Sequence, residues 1–146
     1  SEAEIRSRYE ITLDNYCKTI IIEANTMVDM ARTEIAPAVE AYALSLARTA
    51  AAKKALDKDI LCGYESRLVK KLSALTDRIS VKTDELEQAL IDLKGIEDIG
   101  EQANAIRDTV LIKMNELRLA CDEAEVITAK KYWPFPTYGD LLFGVK

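Results

Sequence analysis

Histidine is absent from this sequence of 146 residues. Without an imidazole there is no Ser-His or Cys-His nucleophile, no histidine base near neutral pH and no His-containing zinc site. Glycine and proline are scarce, at five and three, which argues against a loop-rich all-β chain or a disordered one. No run approaches the ~18 apolar residues of a membrane-spanning helix, so no membrane partner is expected. The opening Ser1-Glu2-Ala3-Glu4 lacks the basic end and apolar stretch of a secretion signal. Basic residues are in deficit, 20 against 25 acids for a net charge of −5. A domain that grips a phosphate backbone normally needs a basic face, so nucleic acid is not an expected partner. No GxxxxGKS/T, GxGxxG or GxSxG motif occurs.

The three cysteines, Cys17, Cys62 and Cys121, stand far apart with no CxxC. Their number and spacing suit reduced thiols in a cytoplasmic protein rather than a disulfide framework. Nothing near any of them suggests a base that would activate a catalytic thiol.

What remains is helical. From about Glu4 to Leu56 there is no glycine, and Ile5, Tyr9, Leu13, Tyr16, Ile20, Ala24, Met27 and Ala31 recur at steps of three and four. That spacing draws one apolar face of a helix. Pro37 interrupts it, and a proline inside a helix loses a hydrogen bond and clashes with the preceding turn. A kink or short break is expected there, with Thr33 placed to cap a fresh helix. A second helix is expected from about Tyr64 to Lys94, with Leu68, Leu72, Leu75, Ile79, Leu86, Leu90 and Leu93 as its stripe. A third runs from the Gly95–Gly100 turn to about Lys131, with Ile106, Val110, Leu117, Cys121 and Ala124 as its stripe and Met114 beside it. The short turn predicts that these two form an antiparallel hairpin. The fold class is all-α: one helical domain over 1–146, divided into 4–56, the hairpin 64–131 and an irregular aromatic tail 132–146.

Two places could carry chemistry or contact. Between Asp84 and Glu101, seven acids face Lys94 alone. That acidic hairpin tip could hold a cation, but it lacks the oxygen-ligand spacing of a calcium loop, and acids also suit the start of the third helix. Glu10 with Asp14, and Glu23, could approach a site in a larger protein. The tail is different in kind, since Tyr132, Trp133, Phe135, Tyr138 and Phe143 are five of the nine aromatic residues. Pro134 and Pro136 stop the helix and favour an extended path. These aromatics are the candidate packing or interface residues, either folding back on the helices or docking elsewhere. No catalytic, cofactor-binding or metal residue is assigned.

Two stretches carry a resemblance. The run Arg8-Tyr9-Glu10-Ile11-Thr12-Leu13-Asp14-Asn15-Tyr16-Cys17-Lys18 and onward to Ala31, continued by Ile35-Ala36-Pro37-Ala38-Val39, resembles the segment opening the C-terminal region of type III glutamine synthetases. The run Ala129-Lys130-Lys131-Tyr132-Trp133-Pro134-Phe135-Pro136-Thr137-Tyr138-Gly139-Asp140-Leu141-Leu142-Phe143 is similar to the end of the same enzymes. The resemblance implies a C-terminal structural or assembly domain of a cytoplasmic ligase. That ligase joins ammonia to glutamate with ATP and Mg²⁺ or Mn²⁺, through a γ-glutamyl phosphate, in stacked hexameric rings. It also implies that the reacting residues lie in upstream catalytic domains of the same chain, so the fragment alone is expected to be inactive. Two other readings compete: a free-standing helical adaptor for partner helices, resting on the amphipathic stripes, and a metal-binding module at the acidic tip.

Overall fold

The computed structural model describes residues 1–136, and every regular element among them is helical. Helix α1 spans Glu2–Met30, and the Ser1 hydroxyl caps it by accepting the Glu4 N–H at 3.2 Å. A π-helical turn, Ala31–Ile35, leads directly into α2, Ala36–Leu56. Helix α3 covers Gly63–Leu93. Helix α4, Ile99–Ala105, passes through a second π-helical turn, Ile106–Val110, into α5, Leu111–Ile127. A single 3₁₀ turn, Lys130–Tyr132, comes last. No described helix is long and apolar enough to cross a membrane.

Of the kink or short break expected near Pro37, the break does not occur: the chain stays helical, and a π turn just before the proline removes the conflict. The Ala36 N–H donates to the carbonyl of Ala31, five residues back rather than four. The widened turn shifts the hydrogen-bond ladder, and Pro37, near the start of α2, lacks only a donor that an N-terminal helical turn does not use. Thr33 is not a cap: its hydroxyl donates to the Asp29 carbonyl at 2.7 Å.

Helix α3 lies between α2 and α5 and contributes more of the core than any other helix. Ion pairs show how the helices run. Arg32 reaches Asp84 and Glu87, while Lys53 reaches Glu65. On the other side Arg78 pairs with Glu123, Lys82 with Glu116, and Lys113 with Glu85. Numbers fall along α3 as they rise along each neighbour. Leu72, Ile79 and Leu86 are wholly buried, with Ile106 and Leu117 facing the same core. The seven-residue gap in the stripe between Ile79 and Leu86 is filled by Thr83, whose buried hydroxyl donates to the Ile79 carbonyl at 2.6 Å.

Three details differ from the sequence reading. In α1 the buried residues are Cys17, Ala24 and Val28, whereas Ile5, Tyr9 and Tyr16 are exposed; residues 1–12 are exposed throughout. The bundle selects a neighbouring face of small side chains because they allow close helix approach. In α5, Met114 and Ala120 lie in the buried line and Cys121 sits half-buried at its edge, since the π turn rotates the residues after it. The helix also ends at Ile127 rather than near Lys131: Thr128 turns extended, with no glycine or proline to announce it.

Candidate functional site

The described end of the chain returns to the helices. Thr128 and Ala129 adopt extended backbone, the 3₁₀ turn comes next, and Trp133 is extended ahead of Pro134, the region to which a succeeding proline restricts a residue. The Tyr132 ring lies against Tyr42 of α2, with centroids 5.3 Å apart and planes tilted by 36°. Lys131 sits over the Tyr132 ring at 5.1 Å. Burial first, then the hydrogen bond with Tyr64, pushes the Tyr42 hydroxyl up. Trp133 and Phe135 are half-buried and pack against the core. Of the five candidate aromatics, Tyr132 meets Tyr42 and Trp133 and Phe135 pack against the core, while Tyr138 and Phe143 lie outside the described residues. Tyr42 and Tyr64 were missed by the sequence reading. Tyr42 is the lone aromatic in the alanine-rich stretch after Pro37, and that isolation was the available signal.

Close by, at the α2–α3 corner, Glu65 is buried and its carboxylate meets the Lys53 ammonium at 2.6 Å. That contact holds the Glu65 carboxyl below the usual carboxylate range. Along the opposite flank of α3, Lys71, Ala74, Leu75, Arg78, Glu123, Val126 and Ile127 line an open groove of about 500 Å³.

The acidic tip is largely paired. Asp84 and Glu87 hold Arg32, and Glu85 is drawn down first by Lys113 and then by Lys82. Asp92 accepts from Gln88 at 2.8 Å, and Asp98 caps α4 through the Glu101 N–H at 3.0 Å. Among the described residues no three His, Cys, Asp or Glu side chains gather as metal ligands would. Glu10 and Asp14 line one shallow groove with Ser7, Ile11 and Ile99, and Asp14 also pairs with Lys18 at 2.8 Å. Glu23 is exposed farther along α1 and does not line that groove. Cys17 and Cys62 are buried, and burial pushes the Cys17 thiol up and that of Cys121 up to about 11.

These features define an all-helical domain with paired surface charges and an aromatic patch where its chain end returns. Residues 1–54 match the family model described as the glutamine synthetase C-terminal domain. The whole chain is 35% identical to a glutamine synthetase of Butyrivibrio fibrisolvens, covering 21% of that protein. Over 98% of its length it is 27% identical to the type-3 glutamine synthetase of Dictyostelium discoideum and 25% identical to a glutamine synthetase of Bacteroides fragilis, covering 20% of each. Over its whole length the chain is thus similar to a part of glutamine synthetases, and its first 54 residues match the model of their C-terminal domain. It spans about a fifth of the length of the relatives it matches.

Proposed function

We propose that this chain serves as the C-terminal helical domain of a larger glutamine synthetase, shaping and assembling the enzyme without supplying its reacting groups. The observation that carries this reading is the match of the entire chain to only a fifth of a glutamine synthetase. The parent reaction is the ATP-dependent ligation of ammonia to glutamate through γ-glutamyl phosphate, in a cytoplasmic enzyme of stacked hexameric rings. Its ATP and Mg²⁺ or Mn²⁺ belong to catalytic domains upstream in the same chain. Three of the tip acids, Asp84, Glu85 and Glu87, are engaged by Arg32, Lys82 and Lys113, no metal-ligand cluster gathers among the described residues and the sequence has no histidine, so this reading assigns neither group to the chain.

In this reading the helices form an antiparallel bundle, a continuous 4–56 segment laid against the 64–131 hairpin. The tail from 132 to 146, with Tyr132, Trp133, Phe135, Tyr138 and Phe143, is its packing and docking element. The test is an assay of glutamine formation from glutamate, ammonia and ATP with Mg²⁺ or Mn²⁺. The 146-residue chain is expected to show none and the full-length synthetase to show turnover. Turnover by the chain alone would overturn the assignment of the chemistry to other domains.

A further inference from the structure

Outside the face that the bundle buries, α1 exposes large apolar side chains in two places: Ile11 with Ile22, and a longer stripe of Ile5, Tyr9 and Tyr16. Cys17, Ala24 and Val28 face the core. At 3.6 residues per turn, Ile5, Tyr9 and Tyr16 fall within about 40° of one another, in a stripe centred roughly 100° around the helix from that buried line. They are 69%, 65% and 40% exposed. The larger aliphatic and aromatic side chains thus point outward while the small ones pack inward, the reverse of what burial in the bundle alone would favour. Half-buried Ile20 and Met27 continue the outer stripe along its edge.

The charges along the stripe say what it fits. Arg8 flanks it near one end, about 80° from its centre, and Glu23 lies within it near the other end, in line with Ile5 and about 22 Å from Arg8 along the axis. Neither has an ion-pair partner among the described residues. We propose that this stripe binds the same stripe of a second copy of the chain, with the two α1 helices antiparallel. That arrangement sets Arg8 of each copy beside Glu23 of the other. It brings Tyr16 to the two-fold axis opposite its own equivalent and lays Ile5 against Met27 of the second copy. A parallel pair would instead oppose Arg8 to Arg8 and Glu23 to Glu23, so charge selects the antiparallel form. The contact is isologous and closes at two copies. It rests on the assembly role proposed above and names its partner.

The test is the mass of the 146-residue chain by sedimentation at about 100 μM, where contacts of micromolar Kd are saturated. The expected result is a dimer that Arg8→Glu or Glu23→Arg alone converts to monomer and that the double exchange Arg8→Glu/Glu23→Arg restores. Tyr16→Ser is expected to give a monomer of unchanged helical circular dichroism. A monomeric unmodified chain, a dimer indifferent to either single exchange, or a double exchange that fails to restore it would each overturn the proposal. The readout is mass rather than glutamine formation, so the assembly contact can fail while the placement of the chemistry stands.

Discussion

At the scale of single residues, what a side chain does here depends on which neighbour reaches it. Trp133 is extended ahead of Pro134, yet it packs half-buried on the core. A fully buried Trp→Ala change costs about 3–5 kcal/mol, and partial exposure leaves an expected loss of about 2 kcal/mol for Trp133→Ala in urea unfolding. Val126→Ala is the control. That side chain is 83% exposed, and its loss should change stability by less than about 0.5 kcal/mol. An unmoved midpoint for Trp133→Ala would show that the described chain end is not anchored by its indole. The residue types in this patch were legible, because five aromatics in one short tail stand out. The Tyr42 that Tyr132 meets was not, since an isolated tyrosine on a helix carries no mark of what will fold onto it.

At the scale of elements, hydrophobic periodicity located the three helical stretches well. The Leu68–Leu93 stripe comes from local spacing. What spacing could not show was how the chain accommodates Pro37. The π turn at Ala31–Ile35 depends on α3 lying alongside, where Arg32 holds Asp84 and Glu87 across the contact. A proline in an ordinary helix interior costs about 3 kcal/mol. Because the widened turn already removes the hydrogen bond that Pro37 lacks, Pro37→Ala should stabilise by less than about 1 kcal/mol. Far-ultraviolet circular dichroism and urea unfolding of that variant check this. A gain near 3 kcal/mol would show that the π turn does not relieve the proline.

At the scale of the whole molecule, the surface pairs tie the helices together and set the response to acid. Glu65, Glu85, Glu87 and Asp108 all titrate below their ordinary values, held down first by Lys53, Lys113, Arg32 and Arg107 respectively. In the range just below the ordinary values, 4.5 for Glu and 3.8 for Asp, the unfolded chain takes up protons that the folded chain still refuses. The contribution of these groups is therefore complete above that range. It falls as pH drops, until the folded groups titrate in turn. The urea midpoint should be flat from neutrality to about pH 5 and decline below it, and Glu65→Gln should remove part of the decline. A midpoint that rises on acidification would contradict the pairing. Most of these pairs are solvent-exposed, so added salt should soften the effect.

The amino-acid sequence by itself determined the all-helical character, the positions of the long apolar stripes and the absence of histidine chemistry. Each of these comes from residue type and local spacing. Tertiary structure decided which apolar face of α1 the bundle buries, that the chain stays helical through Pro37, and that Tyr132 meets Tyr42. The physical reason is common to all three. A helix can satisfy its own hydrogen bonds locally, but which face it buries and where its ladder yields are set by the shape and charge of neighbours distant in sequence.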